Sequence, residues 1–289
     1  MITNPEKVLF PDDAITKGDL VSYYEAVAPV MLPHLRGRPV TMERYPAGIG
    51  NKGFFQKDVS KGFPPWLERV EVSKKGGTVH HLLVHDARAL VWMANQNCIT
   101  PHVWGSRAPN LYHPDLCVCD LDPSRDEPVV LRAAALGLRD LLAELDLPSW
   151  VKTSGSKGFH LVVPIDGRTG IGEVACFTYA VGALLVRRNP LPLTQEFRKA
   201  DRGGRILVDT GRNGYSATFA APYAVRPKSG APVSAPCRWE ELESGQVGPL
   251  TFTMRSIRAR IDAVGDLWAG MDRRSLSRPI QRLRSMSEE

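Results

Sequence analysis

Three carboxylates and one small-residue loop carry the chemistry this sequence offers. In "CVCDLDPS", Cys117 to Ser124, Asp120 and Asp122 are separated only by Leu121. The residues before them are apolar, so the segment reads as a buried strand stopped by Pro123. Side chains alternate across a strand, which puts both carboxylates on one face and Cys117 and Cys119 on the other. Like charges that close repel, and each raises the other's pKa. A divalent cation relieves the conflict. Asp209 ends a second apolar strand, "RILVD". Acidic side chains at adjacent strand ends suit two metal ions about 3.5–4 Å apart, which clamp the attacking and leaving oxygens of a phosphoryl transfer. An Asp-x-Asp pair also serves phosphatases and glycosyltransferases, so the pair alone does not choose the reaction.

The loop is "TSGSKGFH", Thr153 to His160. Glycines and serines let backbone N–H groups approach an anion closely. Ser154, Lys157 and His160 add hydrogen bonds or charge suited to phosphate oxygens. The spacing is not that of a Walker loop, and a plain hairpin turn is served equally well by "SGSKG".

The elements that must position these groups are readable from periodicity. "ITKGDLVSYYEAVAPVMLPHL" predicts an amphipathic helix, with Leu20, Tyr24, Val27 and Met31 on one face and Thr16 and Asp19 at capping-box spacing. "GRPVTMERYPAG" predicts a short strand and turn, and "NKGFFQKD" a polar loop around Phe54 and Phe55. "DARALVWMANQN" predicts a helix, as does the leucine stripe from about Val129 to Leu145. "WVKTSGSKGFHLVVPI" reads as strand, turn, strand; "EVACFTYAVGALLVRRNP" as a helix; "SATFAAPYAV" as a strand; "FTMRSIRARIDAVGDLWAG" as a last helix. His80, His81 and His85 read as strand and helix-start surface rather than a metal cluster. The polar residues from about 272 to 289 predict a flexible C-terminal tail. Strands and helices mix without a strict βαβ rhythm, so the expected class is α+β with mixed or antiparallel sheets, in a single domain over 1–289.

The composition is that of a globular chain, with 43% hydrophobic and 24% charged residues. No apolar run reaches the roughly 20 residues of a membrane span, and "MITNPEKVLFPDD" lacks the pattern of a secretory signal. Five cysteines, an odd number, suit reduced thiols in a cytoplasm. Residues 187–289 hold 18 Lys+Arg against 11 Asp+Glu, while residues 1–186 hold 19 against 20. A basic half beside an acidic centre suits a polyanionic substrate such as nucleic acid.

Together, "DLDPS", "TSGSKGFH" and "RILVD" followed by "GRN" resemble the three motifs of the archaeo-eukaryotic primase superfamily. The chain resembles most closely the polymerase domain of bacterial end-joining ligases of the ligase D type. "ITNPEKVLFP", "ITKGDL", "MERYPAG", "GFFQKD", "CITPHVW" and "APYAVR…GAPVS" match that subgroup in order, over nearly the whole chain. The resemblance implies a primase-like catalytic core and a template-dependent nucleotidyl transferase that fills short gaps or extends DNA ends with ribo- or deoxyribonucleotides. It implies Asp120, Asp122 and Asp209 as catalytic ligands of two Mn²⁺ or Mg²⁺ ions. Ser154, Lys157 and His160 would hold the incoming triphosphate, with Arg44, His102 and Arg226 near the nucleotide. Lys7 and Lys17 match residues that grip a downstream 5′-phosphate, and Phe54 and Phe55 match an aromatic pair that stacks on the template.

Gapped or broken double-stranded DNA, NTPs and dNTPs are the implied substrates. A DNA ligase and end-binding repair proteins are the implied partners of a monomer working at the bacterial nucleoid. No nuclease or ligase motif is visible, so the expectation is a stand-alone polymerase or a fragment of a longer chain. Two other readings are a catalytically inactive DNA-end-binding module and a phosphohydrolase of the haloacid-dehalogenase kind. The intact carboxylates weigh against the first, and Pro123 and Ser124 after the second acid weigh against the other.

Overall fold

Thr16 starts the first long helix, α1 (Lys17–Leu35), by the reciprocal cap that the sequence predicts. Its hydroxyl accepts from the Asp19 N–H at 3.2 Å, and the Asp19 carboxylate accepts from the Thr16 N–H at 2.8 Å. Leu20, Tyr24, Val27 and Met31 are buried along the helix as their spacing requires. The computed structural model describes residues 2–59 and 62–288; Glu289, at the end of the expected tail, lies outside them.

Backbone packing divides the chain into two units. The first is Met1–Pro109, Thr218–Ala235 and Phe252–Asp266; the second is Asn110–Ala217, Pro236–Thr251 and Leu267–Glu289. The first unit opens with β1 (Val8–Phe10), β2 (Ile15–Thr16) and α1, then β3 (Val40–Arg44), β4 (Phe54–Gln56), β5 (Arg69–Lys74), β6 (Gly77–Leu82), α2 (Ala87–Asn95) and β7 (Cys98–Val103). The second unit follows with β8 (Leu116–Pro123), α3 (Pro128–Glu144), β9 (Trp150–Thr153), β10 (Phe159–Pro164), α4 (Ile171–Arg188), β11 (Leu193–Thr194) and β12 (Ile206–Asp209). The chain returns to the first unit with β13 (Phe219–Ala220), β14 (Ala224–Val225) and β15 (Val233–Ser234). It gives the second β16 (Pro236–Cys237) and α5 (Trp239–Glu243), the first α6 (Ile257–Val264), and closes in the second with α7 (Ser277–Glu288).

The sheet of the first unit runs β13-β7-β3-β6-β5, with β4 paired to β3; that of the second runs β11-β12-β8-β10-β9-β16. Among the described residues, β11–β12 is the one parallel pair of named strands in the second sheet. The α+β expectation is therefore met. β8 lies inside this sheet with α3 and α4 packed on it, which explains its apolar run. Cys117, Cys119 and Leu121 are buried, on the face away from the aspartates.

The sequence reading needs correction at several points. "GFFQ" is a strand, β4, because β3 gives its backbone a ladder partner. "SATFAAPYAV" splits into β13 and β14. The expected flexible tail from about residue 272 carries α7, docked by buried Leu276 and Leu283 and by Arg282, 3.0 Å from Asp146. Too few apolar residues recur there to betray a helix. His81 is buried, edge-on to Trp104 at 5.5 Å, while His80 and His85 face Glu71 and Glu68. No helix among the described residues is long and apolar enough to cross a membrane.

Candidate active site

Strand register brings the chemistry of the second unit into one line. Asp209 on β12 lies opposite Asp120 on β8, Asp120 opposite His160 on β10, and His160 opposite Lys152 on β9. These four side chains form a cross-strand row on one face of the sheet. Asp122 stands two residues along β8 on that face and pairs in register with Leu207.

Each member of the row is held. The Asp209 carboxylate accepts from the Gly211 N–H at 2.8 Å. His160 Nε2 lies 3.6 Å from Asp120 Oδ1. The ammonium of fully buried Lys152 lies 2.8 Å from His160 Nδ1. Two arginines that sequence reasoning missed reach the carboxylates. Arg202 Nη1 donates to Asp122 at 2.9 Å, and Arg212 Nη2 lies 3.3 Å from Asp120 and 3.1 Å from Asp209. Burial pushes the Asp120 carboxyl up to about 6; Arg212 opposes this, and Asp209 and Asp122 add to it.

The expected metal cluster is not closed. Among the described residues no three carboxylate, imidazole or thiol groups are arranged to hold an ion. The donor set nonetheless suits a hard divalent cation: three carboxylates share one face, and a buried one among them is short of positive charge.

The loop after β9 is built by Ser154. Its hydroxyl accepts from the N–H groups of Ser156 at 3.1 Å and Gly158 at 3.0 Å, so two donors expected to face an anion are already used. Gly158 is demanded by a close approach, since a Cβ there would stand 1.6 Å from the Leu121 carbonyl oxygen. That contact tucks the turn over β8 between Asp120 and Asp122. Lys157 is exposed on it.

The remaining sequence candidates lie in the first unit. His102 Nε2 is 2.9 Å from Glu43 Oε2, and both residues are buried. Burial pushes the Glu43 carboxyl up, but the His102 hydrogen bond and charge, with the Arg226 charge, bring it below the usual value. Glu43 thus holds His102 in place, and the Tyr45 hydroxyl donates to Glu43 at 3.1 Å. Arg44 is engaged at Gln56 Oε1, 2.6 Å, and the Gln96 carbonyl, 2.7 Å. Phe54 and Phe55 are both exposed, at 46% and 58%. Phe54 lies 5.4 Å from the Arg44 guanidinium, and Phe55 meets His102 edge-on at 5.3 Å. Lys7 and Lys17 are joined by a backbone hydrogen bond of 2.8 Å, and Lys17 is buried.

Comparison with known proteins identifies the family of the chain. Residues 16–268 match the family model described as "LigD, primase-polymerase domain". The multifunctional non-homologous end joining protein LigD of Mycolicibacterium smegmatis is 34% identical over 274 residues, covering 94% of this chain and 36% of that protein. The bifunctional non-homologous end joining protein LigD of Bacillus subtilis is 30% identical over 265 residues, covering 91% of this chain and 42% of that protein. The chain thus spans well under half the length of these relatives. A solved polymerase domain of Mycobacterium tuberculosis ligase D, in complex with DNA, superposes with a TM-score of 0.88 at 34% identity, covering 94% of this chain and 97% of that one. By the family match over most of its length, the chain belongs to the LigD primase-polymerase domain family.

Proposed function

We propose that the chain is a template-dependent nucleotidyl transferase of DNA end repair, which extends a primer strand across short gaps or at broken ends. The row Asp209–Asp120–His160–Lys152 is the observation that carries this reading. It offers carboxylates and a proton-bearing imidazole on one sheet face, which suits a triphosphate whose α-phosphate is attacked by a primer 3′-hydroxyl. Chemistry of this kind depends on positioning and charge stabilisation more than on covalent help.

Asp120, Asp122 and Asp209 are the proposed holders of divalent ions, Mn²⁺ or Mg²⁺. Such ions, when bound, polarise phosphoryl oxygens and lower the pKa of a coordinated hydroxyl. Ser154 retains its hydroxyl proton for donation, because its oxygen serves as acceptor for Ser156 and Gly158. Lys157 and His160 add a cation and an N–H donor to the same triphosphate. In the first unit, Arg44, His102 and Arg226 are proposed nucleotide residues, with His102 held by Glu43 and Arg44 by Gln56 and Gln96. Phe54 and Phe55 present two exposed rings to template bases, and the partly covered Lys7, whose charge acts on buried Lys17, is proposed with it to meet a downstream 5′-phosphate.

The test is incorporation of labelled ATP on a gapped duplex bearing a 5′-phosphate, with Mn²⁺ present. Templated addition that stops at the end of the gap is expected. DNA binding without any incorporation would replace the enzyme by an end-binding module, and phosphate release without primer extension would make it a hydrolase.

A further inference from the structure

The two arginines at the carboxylates are held in opposite ways. Arg202 is fixed: its side chain is 5% exposed and three nitrogens are engaged, Nε with the Glu196 carbonyl at 3.2 Å, Nη2 with the Phe197 carbonyl at 3.0 Å, and Nη1 with Asp122 at 2.9 Å. Arg212 is loosely held. One nitrogen, Nη2, serves both Asp120 Oδ2 at 3.3 Å and Asp209 Oδ2 at 3.1 Å. Its Nε is buried and has no hydrogen-bond partner among the described residues. Its side chain is 40% exposed, so solvent lies open to it.

A guanidinium grips a carboxylate best as a two-pronged fork. Here one nitrogen bridges two carboxylates at about 3 Å, and each receives less than a fork would give. The backbone under Arg212 is anchored. Asn213 accepts from the Val118 N–H at 2.8 Å and donates to the Val118 carbonyl at 2.7 Å, and the Gly211 N–H meets Asp209 at 2.8 Å. Rotation of one exposed side chain is therefore enough to clear the space between Asp120 and Asp209.

We propose that Arg212 is a displaceable internal cation, which bridges Asp120 and Asp209 when no metal is bound and swings out when a divalent ion takes its place. The inference rests on the proposed metal role of those carboxylates. A divalent ion brings twice the charge, and it approaches carboxylate oxygens to about 2.0–2.6 Å rather than the hydrogen-bond distance of a guanidinium. It therefore wins the site, but its apparent affinity is reduced by the arginine contacts it must break. Metal loading is thereby biased toward complexes in which a triphosphate supplies further oxygen ligands. The released guanidinium is then free for that polyanion.

The experiment is calorimetric titration of metal-stripped protein with MnCl₂, paired with thermal melts in EDTA and in saturating Mn²⁺. It uses the wild type, Arg212→Ala, Arg212→Lys and, as a site control, Asp120→Asn. Arg212→Ala should bind Mn²⁺ about tenfold more tightly than the wild type. It should melt lower in EDTA and gain more on adding Mn²⁺, because its carboxylates lack a counter-charge until the ion arrives. Arg212→Lys, with a shorter, more strongly hydrated head, should fall between the two and serves as the readout should the alanine variant fail to fold. An arginine that merely supports the local fold would lower the melting temperature in both conditions alike and leave or weaken Mn²⁺ affinity. If the wild type binds Mn²⁺, Asp120→Asn does not, and neither Arg212 variant binds more tightly, the displacement inference falls while the metal reading stands. A wild type that takes up no Mn²⁺ at the Asp120 site removes both.

Discussion

Lys152 fixes the tautomer of His160. The lysine ammonium can only donate, so His160 Nδ1, 2.8 Å away, must accept, and the ring proton resides on Nε2. Nε2 faces Asp120 Oδ1 at 3.6 Å. An imidazole held this way offers its N–H to an anionic oxygen without having to choose between orientations. Lys152→Met keeps most of the buried volume and removes the donor. Incorporation by that variant should fall by about 10–100-fold, the usual cost of losing a partner that orients an active-site imidazole. Nucleotide incorporation measured beside circular dichroism checks it: unchanged turnover in a folded Lys152→Met would detach His160 from the chemistry.

Asp120→Ala and Asp122→Ala should each abolish incorporation and leave the fold intact. Both carboxylates stand on the outward face of β8, whereas the buried packing against the helices comes from Cys117, Cys119 and Leu121. Single-turnover primer extension across a Mn²⁺ series reads the outcome. Near-normal turnover with the same metal dependence in either variant would break the assignment.

Both carboxylates were legible because a two-residue period inside an apolar run fixes their face without tertiary information. The Thr16 cap was legible for a similar reason, since its partner is three residues away. Lys152 was not. A lone lysine in a strand looks like a solvent-facing residue until β10 is known to lie beside it. Arg202, Arg212 and Glu43 were missed for the same reason: their partners are brought near by strand pairing or by loops that fold back, and no local spacing encodes that. The strand at Phe54 was hidden because β3 supplies its ladder, and its own residues show no alternation between buried and exposed faces.

Replacing both Phe54 and Phe55 by alanine should cost about 1–3 kcal/mol of DNA affinity per lost stack. Stability should change little, because both rings are largely exposed on β4. Fluorescence anisotropy with a labelled primer–template, read beside a thermal melt, separates the two roles. A fall in melting temperature matching the loss of DNA binding would return the rings to the core.

His81 sets a pH limit on the first unit. Burial lowers its pKa to about 4, with Lys57 adding to the effect and the Val40 backbone contact and Asp58 opposing it. The unfolded value is near 6.5. Between these values the unfolded chain binds the extra proton, so stability is lost as pH falls from about 6.5 toward 4. The loss attributable to this group is on the order of 3 kcal/mol by pH 4. His81→Gln should start less stable at pH 7.5, where the Trp104 contact is lost, and should lose less on acidification. Urea midpoints at pH 7.5, 6 and 5 measure the slope, and parallel slopes for the two proteins would discharge His81 as the cause.

Lys7 and Lys17 govern the last prediction, which concerns the DNA end. The Lys17 ammonium donates to Thr3 Oγ1 at 3.1 Å and to the Asn95 carbonyl at 3.3 Å. Its pKa is lowered first by burial and then by the charge of Lys7. Two neighbouring cations that disfavour one another are stabilised by an anion, and a terminal phosphate carries more charge than a backbone diester because its second pKa is about 6. The enzyme should therefore favour a short gap with a 5′-phosphate over the same gap ending in a hydroxyl. The preference should weaken with salt, since exposed charges are screened over about 8 Å at physiological ionic strength. Lys7→Ala should lose most of the preference at little cost in stability, because its side chain is only partly covered. The Lys7→Ala/Lys17→Ala double variant should treat the two gaps alike, at a lower melting temperature because Lys17 is buried. Extension of an open primer–template should survive in both. Gap filling and DNA affinity for phosphate and hydroxyl substrates, measured with all three proteins at two salt concentrations, decide it. A wild type indifferent to the phosphate, or a double variant that still discriminates fully, would take the 5′-phosphate role away from this pair.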